Sequence, residues 1–285
     1  MIAVNNHELV CVQDLRAPTN PKTNYYGFFP DGTPLIKFSV QEDTDSIDYR
    51  ITWKYEALVE QVILENLIVH IQEKNPTAKI TLNLPYVPNA RMDRTHYPDE
   101  VATLKNFTRF INRLNLHRVY ILDPHSSVAE QLINRVHVDE EQLKRLIHHV
   151  IEEIKPDLLY YPDNGCQKRL SGLIKHPHVS GWKDREWLTG EILSTEILGS
   201  QKSNLKGARI LLVDDISSYG GTFIAAAEIL KELGVAELYL YVTHCENSIL
   251  HGKLLSSGLF AGVYTTDTIF RGKHDLITVL PCEEI

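Results

Sequence analysis

Residues 210–222 read ILLVDDISSYGGT, and no other part of the chain says as much about its architecture. The apolar run Ile210–Val213 ends in two carboxylates, which is typical of a buried parallel strand. Gly220 and Gly221 permit a tight turn with positive φ, and residues 223–233 have a helical pattern. The order of strand, glycine-rich loop and helix predicts one unit of an α/β fold.

This turn also predicts a site for an anion. A strand end, a glycine-rich loop and a helix N-terminus place several backbone N–H groups around one point, and phosphate is the anion that we expect there. Asp214 and Asp215 cannot favour phosphate, but they suit the hydroxyls of a sugar or a metal held beside it. The pattern therefore indicates a pocket for a phosphorylated ribose. The alternative is an ordinary glycine turn with two solvated acids.

Apolar strands and helical segments alternate along the rest of the chain, which predicts parallel βαβ units. The predicted helices cover 55–74, 99–114 and 140–154, and the predicted strands cover 80–84, 119–122, 158–161 and 238–242. We expect a first domain over residues 1–140 and a second over 141–274. The tail 275–285 is a segment that can return to the first domain.

Composition restricts the class of protein. The 285 residues are 43% hydrophobic and 23% charged, which is typical of a globular protein with room for two domains. The chain lacks an apolar run of about 18 residues, so we expect no membrane span. We expect no secretion signal and a cytoplasmic protein whose four scattered cysteines stay reduced. The net charge of −8 disfavours a broad nucleic-acid surface.

Acids and a histidine follow three of the predicted strands. Asp123 and His125 follow strand 119–122, Asp163 follows strand 158–161, and Asp214 and Asp215 follow strand 210–213. Functional sites of parallel sheets lie at the carboxyl ends of strands. We therefore interpret these side chains as metal- or hydroxyl-binding groups.

Two arginines follow strand 80–84 in the turn LPYVPNARMDR, residues 84–94. Arg91 and Arg94 lie three residues apart, so that a proline-containing turn can aim both guanidinium groups at one ligand. Two bidentate guanidinium groups suit a polyphosphate. The alternative is a surface Arg–Asp network through Asp93.

Residues 85–94 closely resemble the Pro-Tyr-x-x-x-Ala-Arg-x-Asp-Arg segment of ribose-phosphate pyrophosphokinases, the synthetases of 5-phosphoribosyl diphosphate (PRPP). Residues 213–222 resemble the PRPP-binding loop that this family shares with type I phosphoribosyltransferases. Further motifs follow in the family's order: Phe29-Pro30-Asp31-Gly32 resembles an adenine-binding segment, Asp123-Pro124-His125 a magnesium- and ATP-binding segment, Pro162-Asp163-Asn164-Gly165 with Arg169 a Ser-Pro-Asp-x-Gly-Gly segment, Lys183-x-Arg185 the mobile catalytic loop, and Thr243-His244 a Thr-His pair.

The resemblance implies an α/β fold with two phosphoribosyltransferase-like domains, each with a mainly parallel sheet flanked by helices. It implies transfer of the β,γ-diphosphate of ATP to the anomeric hydroxyl of a 5-phosphorylated ribose, with release of AMP and with Mg²⁺ as cofactor. It also implies a homo-oligomer, either a dimer or a hexamer. The implied roles are catalysis by Lys183 and Arg185, ATP binding by Phe29, Asp31, Arg91, Met92, Arg94 and His125, magnesium contacts by His125 and Asp163, and ribose-phosphate binding by Asp214, Asp215, Ser217, Ser218, Tyr219, Gly220, Gly221 and Thr222.

Two positions of the loop depart from the family and bear on the acceptor. The family usually has Asp where Ser218 stands and Thr or Ser where Tyr219 stands. A free ribose 5-phosphate needs only small hydroxyls and amides around its phosphate, whereas ADP-ribose needs a more open pocket. The sequence Asp-Pro-His-Ser at residues 123–126 also resembles that of a divergent branch of the family, which is found with nicotinamide-salvage enzymes, including in bacteriophages. Ribose 5-phosphate and ADP-ribose, whose product would feed NAD⁺ synthesis, therefore both stay open as acceptors.

Two other classes of protein stay open as well. A type I phosphoribosyltransferase would share the loop, but it would not need the arginine pair or a second α/β half. A non-catalytic regulatory subunit associated with a PRPP synthetase would keep the fold. Ser218 and Cys166 favour this subunit, whereas Lys183, Arg185, His125 and Asp163 speak against it.

Overall fold

The structure is a computed structural model that describes residues 10–14, 22–23, 25–38, 40, 48–95, 97–185, 192–198 and 204–282. The chain divides into two compact units, of which the first ends at Asp139 and the second runs from Glu140 to Cys282. Within the described residues, no helix combines the length and the apolar character that a membrane crossing requires.

The first unit contains a mixed sheet and a separate hairpin. Its elements are β1 (Val10–Asp14), β2 (Lys22–Thr23), β3 (Tyr25–Phe28), β4 (Pro34–Lys37), β5 (Asp48–Trp53), α1 (Val59–Lys74), β6 (Lys79–Leu84), α2 (Thr103–Arg113), β7 (Arg118–Ile121), α3 (Ser127–Leu132) and β8 (Val136–Val138). The sheet has the order β2-β1-β5-β6-β7-β8, and its strands from β5 to β8 are parallel. Strand β1 is antiparallel to both of its neighbours. Strands β3 and β4 form the antiparallel hairpin.

Apolar side chains of the helices cover the sheet of the first unit. Ile51 of β5 and Leu82 of β6 are fully buried in one cluster with Leu64 and Ile68 of α1 and with Phe107 of α2. Burial of side chains of this size contributes about 1.5–3 kcal/mol each. This core fixes the carboxyl ends of β6 and β7, where the candidate ATP-binding residues begin.

Helix α1 begins at Val59 rather than at Tyr55, and the reason is a buried carboxylate. The side chain of Glu60 accepts hydrogen bonds from Trp53 Nε1 at 2.9 Å and from the Glu56 backbone N–H at 2.8 Å. The residues before Val59 are therefore held outside the helix. Desolvation raises the pKa of Glu60, and the hydrogen bonds from Trp53 and Glu56 oppose that rise.

The second unit is built on a single sheet. Its elements are α4 (Glu140–Ile154), β9 (Leu158–Tyr161), α5 (Asn164–Leu170), β10 (His178–Arg185), β11 (Ile192–Leu198), β12 (Arg209–Ser217), α6 (Gly221–Glu232), β13 (Glu237–Cys245), a 3-10 helix (Asn247–His251), β14 (Gly262–Thr266) and β15 (Ile277–Leu280). The strand order is β11-β10-β9-β12-β13-β14-β15. Strand β11 is antiparallel to β10, and the other neighbouring strands are parallel.

Strand β12 is longer than the sequence predicts, since it continues through both acids to Ser217. Its pairing with β9 ends at Leu212, but its pairing with β13 continues to Ser217. Asp214 and Asp215 therefore lie in a part of the strand that has lost its neighbour on the β9 side. Such a break in pairing opens space at the carboxyl end of a sheet, where ligands bind in α/β folds.

The prediction that the tail returns to the first domain is wrong for its described part. Residues Ile277–Leu280 form β15, which pairs in parallel with β14 at the edge of the second sheet. The backbone N–H of Cys282 donates to Asp267 at 2.8 Å, and its thiol donates to Gln142 at 2.8 Å. Open edges of strands bind further strands readily, which explains why the tail adds to the nearest sheet. Residues 283–285 lie outside the described part.

Candidate functional site

The paired acids of β12 meet an arginine from α5. One Arg169 nitrogen lies 3.5 Å from an oxygen of Asp215 and 4.0 Å from an oxygen of Asp214. The backbone N–H of Asp215 donates to Asp214 at 2.9 Å, which fixes the orientation of that carboxylate. The two side chains retain 17% and 7% of their exposure, so both are nearly buried but reachable. This arrangement places two acids and one guanidinium group at one sheet edge.

The electrostatics of Asp214 follow from this crowding. Desolvation and the neighbouring charge of Asp215 raise the pKa of Asp214 well above its ordinary value, and Arg169 opposes the rise. A carboxyl group in such surroundings gains from a ligand hydroxyl or a cation that partners its charge. The pair therefore suits the hydroxyls of a sugar or a metal ion, as the sequence predicts.

The loop after β12 ends in a left-handed glycine. Gly220 has φ 84° and precedes α6, whereas Gly221 is already the first residue of that helix. The prediction of positive φ therefore holds for Gly220 and is wrong for Gly221, because helical residues need negative φ. A β-carbon on Gly220 would also lie 2.5 Å from Leu254 Cδ1. Both conditions restrict position 220 to glycine.

Backbone donors gather at this loop. Within the described part of the chain, the N–H groups of Tyr219, Gly221 and Thr222 donate to no other residue. Tyr219 and Thr222 are exposed, Ser218 is half-buried, and Ser217 is buried within β12. Unpaired amides at the start of a helix of twelve residues attract an anion. The loop is therefore a candidate phosphate site beside the acid pair.

A second segment supports the loop from behind. We call residues 246–254 the support segment. The backbone N–H of Glu246 donates to the Ser217 carbonyl at 2.9 Å, and the hydroxyls of Ser218 and Ser248 lie 3.0 Å apart. The backbone carbonyl of Tyr219 lies against Gly252, where a β-carbon would overlap it. The support segment therefore fixes three successive residues of the loop.

Asp163 already has a structural role in the second unit. It caps the N-terminus of α5, where its Oδ1 accepts from the Cys166 backbone N–H at 2.9 Å. The thiol of Cys166 in turn donates to the Val213 carbonyl at 3.1 Å, next to Asp214. The second oxygen of this exposed carboxylate accepts no hydrogen bond from the residues that the structure describes, so it can contact a ligand.

Lys183 and Arg185 belong to a strand rather than to a loop. Both lie in β10, where Lys183 pairs with Thr195 and Arg185 with Ile192 of β11. The resemblance implied a mobile loop at this position, so the described backbone differs from that expectation. Their side chains lie outside the described part of the structure.

In the first unit, Arg94 forms an ion pair with Asp93. Arg94 Nε lies 3.1 Å and Nη2 3.4 Å from the two oxygens of Asp93. Although desolvation raises the pKa of Asp93, hydrogen bonds from Arg94 and Ser126 and the charges of Arg94 and His125 lower it overall. The arginine, the acid, Ser126 and His125 are therefore neighbours. The alternative interpretation, an Arg–Asp pairing through Asp93, is present, and it orients the guanidinium group of Arg94.

Arg91 and Met92 lie in the turn before this pair. Arg91 is exposed and Met92 is half-buried. The Met92 N–H donates to the Asn89 carbonyl at 2.9 Å, and Asn89 has φ 65°. The tight turn at Asn89 thus sets the direction of the chain that carries Arg91 and Arg94.

The hairpin of β3 and β4 carries the two remaining candidate residues at its tip. Phe29 is 50% exposed, and its backbone N–H donates to the Thr33 carbonyl at 2.9 Å. The Asp31 carboxylate accepts from the side chain and the backbone of Thr33, which lowers the pKa of Asp31. The loop is therefore a tight turn that presents an aromatic ring to solvent.

Within the described part of the chain, no three His, Cys, Asp or Glu side chains converge to hold a metal ion by themselves. Mg²⁺ is commonly bound by one or two protein groups together with substrate phosphates. The exposed ring of His125 in the first unit and the exposed carboxylate of Asp163 in the second unit each fit that mode of binding separately.

The sequence motifs alone do not assign Arg169, Glu246, Ser248 or Gly252 to the site. Arg169 had a sequence signal, because it follows the Asp163 segment in the motif. The other three residues lie at least 28 positions beyond Ser218 and carry no motif of their own, as their numbers in the sequence show. Only the fold brings them to the loop.

Known proteins that are similar to this chain include ribose-phosphate pyrophosphokinases. Residues 143–252 match the family model of the phosphoribosyl transferase domain. The chain is 24% identical over 219 residues to a ribose-phosphate pyrophosphokinase of Pyrococcus furiosus. The aligned region covers 76% of this chain and 75% of that protein. It is 25% identical over 264 residues to the ribose-phosphate pyrophosphokinase of Saccharolobus solfataricus, with 88% and 86% covered.

A solved structure has the same fold. The phosphoribosylpyrophosphate synthetase of Mycobacterium smegmatis superimposes with a TM-score of 0.70 at 20% identity, with 90% of this chain and 85% of that chain covered. The predicted α/β fold with parallel sheets flanked by helices is confirmed.

Proposed function

We propose that this chain transfers the β,γ-diphosphate of ATP to the anomeric hydroxyl of ribose 5-phosphate and releases AMP. One observation carries the proposal: the acid pair Asp214–Asp215, close to Arg169, lies on the strand that leads into a loop whose amides donate to none of the described residues. The names of curated relatives that cover 76% and 88% of the chain support the same activity.

The acceptor binds, in this proposal, at the loop of the second unit. The amides of Tyr219, Gly221 and Thr222 take the 5-phosphate, together with the Thr222 hydroxyl. Asp214 and Asp215 take the ribose hydroxyls, directly or through Mg²⁺. A phosphate at a helix N-terminus and a sugar beside acids match the charges of the two ends of the ligand.

ATP binds, in this proposal, through residues of the first unit. Arg91 and Arg94 bind its phosphates, since guanidinium groups recognise phosphate oxygens in pairs. Phe29 stacks on the adenine, and the turn residues Asp31 and Met92 support that binding. His125 would hold a magnesium ion in the first unit, and Asp163 would hold one through its second oxygen in the second unit. The magnesium ion supplies charge neutralisation to the phosphates when it is bound.

Lys183 and Arg185 are the proposed catalytic residues. Diphosphate transfer needs the acceptor oxygen in line with the β-phosphorus, together with neutralisation of the charge that develops on the phosphate oxygens. A lysine and an arginine that contact those oxygens lower the barrier without forming a covalent bond.

A second acceptor, ADP-ribose, is favoured by one observation. Tyr219 is 61% exposed beside the amides of the loop, where it offers an aromatic surface to a longer ligand. This acceptor would agree with the resemblance to the branch associated with nicotinamide salvage. We therefore keep ADP-ribose as the alternative acceptor for the same diphosphate transfer, together with membership of the branch associated with nicotinamide salvage.

The test is incubation of the purified chain with ATP and Mg²⁺ in the presence of ribose 5-phosphate or ADP-ribose. Mass spectrometry should find AMP together with PRPP in the first mixture. Product in the ADP-ribose mixture alone would mean that ADP-ribose, and not ribose 5-phosphate, is the acceptor. Absence of AMP from both mixtures would contradict the proposal and favour a regulatory subunit. We also propose the homo-oligomer that the family resemblance implies, and light scattering of the same preparation would test it.

A further inference from the structure

A chain of three side chains connects the phosphate loop to an acid that the sequence motifs leave out. The hydroxyls of Ser218 and Ser248 lie 3.0 Å apart, and Ser248 Oγ lies 3.2 Å from Glu246 Oε2. Ser218 stands where the PRPP-binding loop usually has Asp. The carboxylate of Glu246 is therefore linked to position 218 through one intervening hydroxyl, that of Ser248.

The direction of the hydrogen bonds follows from the number of protons. The Ser248 hydroxyl donates to Glu246 Oε2, and a serine hydroxyl has one proton to donate. Because the one proton of Ser248 goes to Glu246, the oxygen of Ser248 accepts the proton of Ser218. The proton of Ser218 therefore points away from the loop, and the lone pairs of its oxygen remain for another partner.

This polarity determines what Ser218 can bind. A hydroxyl whose proton is committed cannot donate to a phosphate oxygen, but it accepts from a donor such as a sugar hydroxyl. Ser218 follows the acid pair in the sequence and precedes the amides of the loop, and its side chain is half-buried rather than fully buried, so a ligand can reach it. It thus plays the accepting role that an Asp at the same position would play.

We infer that Glu246, acting through Ser248, is a positioning residue that sets Ser218 as an acceptor for a hydroxyl of the sugar. The inference rests on the proposed function, because it names the part of the acceptor that Ser218 recognises. Glu246 itself does not touch the ligand. Its contribution is the direction of one proton, which selects a hydroxylated sugar over a deoxygenated one.

The experiment compares acceptors with and without single hydroxyls. Glu246→Gln can turn its amide toward Ser248 and so reverse the direction of the chain, and Ser248→Ala interrupts it. We expect each variant to raise the KM for ribose 5-phosphate about tenfold, as for one lost hydrogen bond. The KM for ATP should not change. Glu228→Gln and Ser256→Ala, at exposed positions of the same unit, are the matched controls.

The deoxygenated acceptors give the decisive comparison. For either 2-deoxyribose 5-phosphate or 3-deoxyribose 5-phosphate, the penalty of Glu246→Gln should disappear, because the hydroxyl that Ser218 reads is already missing. An equal penalty with all three acceptors would overturn the inference. So would a KM for ribose 5-phosphate that both variants leave unchanged while their melting temperatures match that of the wild type.

A binding measurement separates this inference from the proposed function. Calorimetric titration with ribose 5-phosphate in the absence of ATP needs no turnover. If the wild type binds the sugar phosphate but releases no AMP from ATP, the proposed function fails. The inference then stands or falls on the ratio of the Kd values of Glu246→Gln and the wild type for the same three sugars.

Discussion

The backbone carbonyl of Tyr219 lies so close to Gly252 that a β-carbon on the glycine would overlap it. The contact joins the phosphate loop to the support segment at a point where neither side chain takes part. Gly252 does not have positive φ, so its glycine is needed for space rather than for backbone freedom. Position 252 therefore controls the loop from outside it.

Gly252→Ala should displace the Tyr219 carbonyl and, with it, the amides that we propose for the 5-phosphate. We expect a loss of about 1–3 kcal/mol in the free energy of unfolding, as for other overpacked sites, and a KM for ribose 5-phosphate raised at least tenfold. Urea unfolding and steady-state kinetics would measure the two effects. Gly172→Ala is the control, because a β-carbon there meets no atom within 4 Å. A variant that behaves like this control would contradict the role of the contact.

Arg169→Met should shift the pH dependence of activity. Arg169 opposes the rise of the Asp214 pKa that desolvation and Asp215 cause. Its removal should raise that pKa further, so that the ionised form is reached only at higher pH. The acidic limb of the kcat/KM profile for the acceptor should therefore move to higher pH, whereas Lys168→Met should leave it in place. A profile that moves to lower pH in the Arg169 variant would reverse the assigned sign.

Lys183→Ala should lower kcat by about 10²–10³-fold, which is typical for the loss of one donor that stabilises charge in the transition state. Binding of ATP, measured by calorimetry, should change little. Lys175→Ala, at an exposed position of the same unit, is the control. Wild-type turnover in the Lys183 variant would remove this residue from the catalytic set.

Glu60→Gln should change how stability depends on pH. Desolvation raises the folded-state pKa of Glu60 above its ordinary value of 4.5. A carboxyl group with a raised pKa contributes stability below its unfolded pKa, and this contribution is lost as the pH rises through the folded value. The wild type should therefore lose stability relative to Glu60→Gln as the pH rises from 4.5. Urea unfolding of both proteins over that range measures the difference, and a constant difference would mean that Glu60 does not titrate there.

Local patterns were enough to predict some elements closely. The boundaries of α4 and β9 are those that the apolar spacing of 140–154 and 158–161 predicts. Helix α1 starts later because Glu60 binds Trp53, a partner that the helical spacing does not contain. Likewise, β12 continues to Ser217 because β13 pairs with it, and the two acids do not end it.

The candidate site shows the same division between local and distant signals. The residues of 213–222 lie in one motif and could be assigned together. The contact of Arg169 with Asp215 and the contact of Ser218 with Ser248 depend on packing between distant segments. Short motifs record which side chains are present, but the direction and the partner of each hydrogen bond depend on the tertiary fold.

The thiol of Cys166 gives this site an internal reporter. It is 4% exposed and donates to the Val213 carbonyl, so a reagent that alkylates thiols can reach it only when α5 moves away from β12. The alkylation rate of this one cysteine, followed peptide by peptide, therefore measures how often the strand that carries the acid pair is uncovered. Slower labelling of Cys166 in the presence of ribose 5-phosphate would mean that the bound ligand makes this opening rarer.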